Sequence, residues 1–206
     1  MQRDSRCESL TKIIGLTGPT GAGKTTISQI FADFGCVLVD CDKIAYEVTT
    51  YNVDCLKDLC YAFGSDILNE TGSLNRTLLA QRAFATKEQT QKLNDVTHPW
   101  ILKEIHMLMK QYQRQGVKTL VLDAPLLFES GLQHACHQTV SVLAPLKVRL
   151  SRIMERDGLT EEQALQRIHA QPTDAFYESQ SDMILDGCKT HRQLSDQIAN
   201  WLREEW

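Results

Sequence analysis

The sequence predicts an α/β fold in which a five-stranded parallel sheet lies between two layers of helices. Three observations carry this. An apolar run leads through a glycine-rich loop into an amphipathic stretch at 13–35, IIGLTGPTGAGKTTISQIFADFG. Short β-type runs then alternate with helical segments, the pattern of a parallel sheet. Two of those runs, the second and the third, end in aspartate, and open parallel sheets bind their ligands at the carboxyl ends of the strands.

Each element follows in order. KIIGLT reads as a buried strand. In KTTISQIFADFG the apolar residues Ile27, Ile30, Phe31 and Phe34 share a helix face, and Gly35 stops the helix. CVLVD at 36–40 is a second strand. CDKIAYEV follows with Asp42 as a helix cap. From 52 to 115 the chain reads as helical, in VDCLKDLCYAF, NRTLLAQRAF and the long KEQTQKLNDVTHPWILKEIHMLMKQYQRQ. Gly64, Gly72 and Pro99 punctuate it. KTLVLD, QTVSVLA and DMIL supply three more strands. PLKVRLSRIMERDG and TEEQALQRIHAQ are charged helices divided by Gly158, and HRQLSDQIANWLREEW is a closing amphipathic helix.

The 206 residues, 42% of them hydrophobic, suit one compact domain with an insertion. No run reaches the ~18 apolar residues of a membrane span, and the first twelve residues carry no apolar signal region. A net charge of −4 argues against general nucleic-acid binding. Seven cysteines (7, 36, 41, 55, 60, 136 and 188) form no C-x-x-C pair and do not interleave with the six histidines. Free thiols in a reducing, cytoplasmic setting are expected, each serving as a small apolar residue.

Gly18-Pro19-Thr20-Gly21-Ala22-Gly23-Lys24-Thr25 is G-x-x-x-x-G-K-[ST], the Walker A pattern, in its strand–loop–helix setting. Glycines let a backbone wrap an anion and aim its N–H groups inward, and a helix N-terminus favours negative charge. Gly18, Gly21, Ala22, Gly23, Lys24, Thr25 and Thr26 are thus the expected ATP site. Lys24 reaches the β- and γ-phosphates, and the Thr25 hydroxyl ligates Mg²⁺.

Other residues admit two readings. Asp40 and Asp42 either handle the proton of an attacking hydroxyl or end a strand and cap a helix. Asp123 is a Walker B metal ligand or a strand-end turn residue. Arg149, Arg152 and Arg156 fall at i, i+3 and i+7 on one helix face. With Arg167 they form either a phosphate-gripping flap or a solvated surface paired with Glu155 and Asp157. His98 with Pro99 marks either a functional histidine or a structural one near the start of a long helix. Trp100, Trp201 and Trp206 read as packing or surface residues.

Taken together, the motifs resemble the dephospho-CoA kinase family over nearly the whole chain after the first eleven residues. The resemblance rests on GLTGPTGAGKTT, VDCDKIAYEV, AFGSDILNETGSLNRTLLAQRAF with its Gly72-Leu74-Arg76 spacing, THPWI, APLLFESGL, RIMERDGLTEEQALQRIHAQ and SDMILD. It implies a P-loop nucleoside triphosphate hydrolase-like kinase in one domain spanning 1–206. The core would be 11–51 and 116–206, a CoA-binding helical insertion 52–115, and a helical lid about 149–175. It implies ATP-dependent phosphorylation of the ribose 3′-hydroxyl of dephospho-CoA, with Mg²⁺, by a cytoplasmic monomer that uses neither nucleic acid nor membrane. Asp42, Lys24 and Arg156 would be catalytic. Asp40, Asp42, Arg76, His98, Pro125 and Glu129 would lie on the substrate side, Arg149, Arg152 and Arg156 in the lid, and Thr25 and Asp123 at the metal. A related kinase of another nucleotide-like substrate and a non-catalytic ATP-binding switch are the alternatives. The chain departs from the family at Pro19 and Thr20, which are free Walker A positions. It has Ser181 in place of the usual alanine and Asp186 in place of an asparagine near the base, and Asp accepts without donating. The stretch after Gln171, PTDAFYESQSD, lacks basic residues and predicts a weaker grip of the lid on phosphate.

Overall fold

The computed structural model describes residues 11–205. Cys7 and Trp206 therefore lie outside the described residues. Packing divides the chain into two compact units: the segment up to Asp40 together with the chain from Tyr112 onward, and Cys41–Gln111.

The first unit is built on β1 (Lys12–Thr17), β2 (Val37–Asp40), β3 (Thr119–Asp123), β4 (Gln138–Leu143) and β5 (Met183–Asp186). All pairings are parallel and the order is β2-β3-β1-β4-β5. The five predicted strands are present. The strand period of two is visible in β1. Ile14 and Leu16 face one layer, where they join Val121, Val140, Val142 and Leu185 in a core with α1 (Lys24–Asp33) and α9 (His191–Glu205). Gly15 faces the other way, where a Cβ would stand 2.8 Å from both Cys136 Sγ and Leu127 Cδ2. Its job is to make room, since its backbone is ordinary.

The helices after β4 are α6 (Leu146–Asp157), α7 (Glu161–His169) and α8 (Asp174–Gln180). Ile153, Ala164 and Ile168 form a small apolar cluster joining α6 to α7. Thr160 and Gln163 close a capping box at the start of α7. The acidic stretch after Gln171 thus contains a helix. Its Tyr177 is buried, with Phe128 and Phe176 at ring distances of 6.4 and 5.5 Å. Packing, rather than a basic grip, is what that stretch supplies.

The second unit contains α2 (Cys41–Tyr51), α3 (Val53–Phe63), α4 (Arg76–Ala83) and most of α5 (Lys87–Arg114). Ile44, Val48, Cys55, Leu59, Phe63, Ile67, Leu79 and Ala83 are buried in it. Asn52 caps α3 by accepting from the N–H groups of Asp54 and Cys55 at 3.1 and 3.0 Å.

Two local expectations are corrected. Asp42 does not cap α2; the helix begins at Cys41 and Asp42 lies in its first turn. Its carboxylate there favours the positive end of the helix dipole. Pro99 does not sit in the first turn of its helix. It lies in the interior of α5, which begins at Lys87, so His98 is mid-helix. The helix continues on both sides of it without the one backbone donor that proline lacks.

The six described cysteines are free thiols. Burial pushes Cys36 and Cys55 up to about 11 and Cys136 up to about 12, so all three stay protonated and behave as apolar residues. Among the described residues no helix is long and apolar enough to cross a membrane. Phe31 is fully buried and meets the Trp201 ring edge-on at 6.4 Å. Phe31→Ala is expected to lower unfolding free energy by about 3–5 kcal/mol, read as a fall in the urea midpoint.

Candidate active site

The carboxyl edge of the sheet gathers the site of the first unit. Residues 18–23 connect β1 to α1 as a loop. Gly21 and Gly23 have φ of 78° and 108°, the left-handed region that other residues avoid. Gly23 is the N-cap of α1 and offers no side chain to it. No side chain therefore caps the start of α1, the place where helices bind anions, although the Thr26 N–H donates to the Gly23 carbonyl at 3.1 Å. Gly18 is needed for space as well, because a Cβ would stand 2.4 Å from the Val142 carbonyl oxygen.

Lys24 opens α1, and its ammonium forms an ion pair with Asp123 at the end of β3. Ser28, one turn on, donates to the other Asp123 oxygen at 2.7 Å. Asp123 therefore holds the loop lysine and a helix hydroxyl at once. Asp40 is its neighbour in register at the end of β2. Thr17, at the loop entrance, donates to the Pro125 carbonyl at 3.2 Å. Thr25 and Thr26 are exposed in the first turn of α1. Glu129 is exposed, and its charge adds to burial in raising Tyr177 to about 12.

The three arginines of α6, read as one face, separate. Arg149 is 4% exposed and donates to the Thr20 carbonyl and to Asp174, each at 3.1 Å. Burial lowers its pKa, opposed by the Asp174 charge. Arg152 donates to the carbonyls of Gly21 and Ala22 at 3.1 Å and of Gly187 at 2.9 Å. Arg156 is exposed and grips Asp157 with two hydrogen bonds of 2.8 and 2.9 Å, and Asp157 also accepts from Arg167. Arg156 and Arg167 thus meet at Asp157, whereas Arg149 and Arg152 donate to carbonyls of the glycine-rich loop.

Three contributors had no signal in the sequence pattern. Gln171 accepts from the Thr20 N–H at 2.9 Å. Asp174 orients Arg149. Gly187 lies so close to the loop that a Cβ would fall 1.8 Å from the Ala22 carbonyl oxygen. Ser28 had one, since i and i+4 place it on the Lys24 face of α1. Asp186, the departure beside Gly187, accepts from the Cys188 N–H at 2.9 Å. An asparagine carbonyl would make the same bond, so the aspartate preserves this turn.

In the second unit, Arg76 is exposed and lies over the Tyr46 ring at 4.1 Å while donating to the Tyr46 carbonyl at 3.0 Å and to Thr49 and Thr50. Its guanidinium is thereby fixed against α2. His98 is half-buried, and that burial lowers its pKa against the opposing charge of Asp95. Pro99 and Trp100 line a groove of about 520 Å³ with Asp58, Tyr61, Lys92 and Asp95. Trp100 donates to Asp58 at 2.9 Å.

A parallel sheet with a glycine loop between its central strand and a helix N-terminus, a lysine opening that helix and a neighbouring strand-end aspartate defines a P-loop nucleoside triphosphate-binding fold. The comparisons narrow the class. Residues 12–192 match the family model for dephospho-CoA kinase. A Corynebacterium jeikeium dephospho-CoA kinase is 40% identical, covering 90% of this chain and 95% of its own length. One from Corynebacterium diphtheriae is 37% identical, covering 95% and 96%. Among solved structures, TT1252 from Thermus thermophilus superposes with a TM-score of 0.78 at 29% identity, covering 95% of this chain and 98% of that one. The chain belongs to the dephospho-CoA kinase family.

Two outcomes follow from this geometry. Gly187→Ala should lower unfolding free energy by about 1–3 kcal/mol, because the turn and the loop cannot both keep their places; urea titration measures it. His98 titrates below its ordinary value of 6.5 when folded. As pH falls below 6.5 the unfolded chain takes up a proton that the folded chain refuses, so His98 costs stability on acidification through its depressed value. His98→Gln should flatten the acid limb of urea midpoints measured between pH 7.5 and 5.

Proposed function

We propose that this kinase transfers the γ-phosphoryl group of ATP to the ribose 3′-hydroxyl of dephospho-CoA, giving CoA and ADP. Family membership over residues 12–192 carries the substrate. The uncapped, glycine-built start of α1 beside Lys24 supports the nucleotide.

In this reading the acceptor oxygen bonds to the γ-phosphorus as the bond to the β–γ bridging oxygen breaks, and ADP leaves with that electron pair. Asp42 takes the hydroxyl proton or orients it. Lys24 leaves Asp123 for the β- and γ-oxygens. Among the described residues no cluster of three or more His, Cys, Asp or Glu side chains forms a metal cage. One hydroxyl and one carboxylate at the loop suit Mg²⁺, which favours one or two protein ligands together with phosphate oxygens and water. The Thr25 hydroxyl and the Asp123 carboxylate would hold it, and when bound it supplies charge neutralisation at the phosphates. Asp40, Arg76, His98, Pro125 and Glu129 serve the acceptor side or its support, with residues 52–115 as the CoA-binding part. The lid comprises residues from about 149 to 175, and Arg156 reaches phosphate by exchanging Asp157 for it. Catalysis is then positioning and charge stabilisation, with no covalent intermediate on the protein.

The test is ADP release by purified protein with Mg²⁺·ATP and dephospho-CoA, run beside adenosine, AMP and no acceptor, with product mass measured. A gain of one phosphoryl group on dephospho-CoA alone is expected. Transfer to another acceptor, or ATP binding with no transfer, overturns the assignment. Asp42→Asn should lower kcat by about 10²–10⁴-fold with ATP affinity retained; near-normal turnover would remove Asp42 from proton handling.

A further inference from the structure

The Thr20 backbone is held at both of its polar groups, and so at the two peptide units that flank its Cα. Its N–H donates to Gln171 at 2.9 Å and its carbonyl accepts from Arg149 at 3.1 Å. The two partners come from opposite ends of one segment: Arg149 from α6, and Gln171 from the connection between α7 and α8. Asp174, in the first turn of α8, ties them together by pairing with Arg149. The α6 backbone also lies against the loop, since a Cβ on Gly21 would stand 2.8 Å from the Arg149 carbonyl oxygen.

Thr20 does not stand alone. Arg152 takes the next two carbonyls, of Gly21 and Ala22. Three consecutive loop carbonyls are thus held on the arginine side by two side chains of one helix. Within a peptide unit the carbonyl of one residue and the N–H of the next point oppositely, so fixing the carbonyls of 20 and 22 on one side biases the Gly21 and Gly23 amides to the other, while the Ala22 N–H turns back to the Pro19 carbonyl at 3.1 Å. A loop that lost this hold could turn a carbonyl into the phosphate cradle, where it would repel an anion. The Arg149 guanidinium is committed to Thr20 and Asp174, and its remaining Nη2 is buried without a partner.

We propose that Arg149 and Gln171 are positioning residues for ATP, acting on the Thr20 backbone of the phosphate loop instead of touching phosphate. This rests on the reading that the loop holds ATP. It assigns Arg149 a role distinct from a phosphate-gripping lid residue, and it gives Gln171 a role that does not depend on charge.

The distinction is testable because Gln171 is neutral. Nucleotide affinity is measured by titration calorimetry on wild type, Gln171→Ala, Arg149→Lys, Arg149→Met and the double variant Arg149→Met/Gln171→Ala, with ATP and with ADP. The KM for dephospho-CoA and the urea midpoint are measured alongside. Gln171→Ala should weaken ATP and ADP by similar factors, about 5–10-fold, the size expected for one hydrogen bond. The dephospho-CoA KM should hold. Arg149→Lys should not restore wild-type affinity, because an ammonium cannot bridge Thr20 and Asp174 as the guanidinium fork does. The double variant should weaken binding by less than the product of the single losses, since both hold the adjacent peptide units on either side of the Thr20 Cα. ATP affinity within twofold of wild type in Gln171→Ala overturns the proposal. So does a loss in Arg149→Met that is confined to ATP over ADP and rescued by lysine, which would make Arg149 a direct γ-phosphate ligand. Should Arg149→Met fail to fold, Gln171→Ala alone decides. Absence of ATP binding by the wild type would instead defeat the kinase reading itself.

Discussion

A backbone that cradles an anion must send its N–H groups one way and dispose of its carbonyls the other. Much of the first unit depends on meeting that constraint between residues 18 and 24. Glycines at 21 and 23 allow the turn, and no side chain caps the start of α1. The carbonyls on the far side are buried dipoles that need donors of their own. Arg149 and Arg152 provide them. Charged donors suit this position, since hydrogen bonds from an ionised group are stronger than neutral ones. Their positive charge also lies beside a loop built for a polyanion.

The same constraint explains why so many elements converge behind the loop. Gly187, following β5, must approach the Ala22 carbonyl so closely that no side chain fits. Arg152 bridges that turn to the loop. On the opposite flank, Asp123 holds Lys24 and Ser28 at the end of β3. The loop is therefore braced from α6, from the α7–α8 connection, from the β5–α9 turn and from β3. Such preorganisation matters in phosphoryl transfer, where the protein contributes placement and charge rather than covalent chemistry.

The helical unit meets different demands. It has no sheet, and its stability comes from apolar faces packed among α2, α3 and α4, with Asn52 and Asn75 capping two helices. Arg76 is anchored on Tyr46, Thr49 and Thr50 of α2. His98 lies in a continuous α5, where a proline follows it without ending the helix. In a kinase of this family, these are the residues on which the acceptor reading depends.

The sequence by itself determined the strand–loop–helix, the five strands and most helices. Those features are written in local periods and in residues, glycine above all, whose backbone preferences act within a few positions. Lys24, Thr25 and the strand-end aspartates were legible for the same reason. The start of α2 at Cys41 was not, because a helix end is decided by what packs on its neighbours, and neither was the continuity of α5, which begins at Lys87 as its periodicity indicates but runs through a proline that local rules treat as a boundary. The division of labour among Arg149, Arg152 and Arg156 was equally hidden. Spacing placed them on one face, but only the tertiary structure decided that two of them meet loop carbonyls while the third meets Asp157. Gln171 and Gly187 are the clearest instances: each acts across roughly 150 residues of chain on Thr20 and Ala22, and no local pattern records a contact that exists only once the chain has closed.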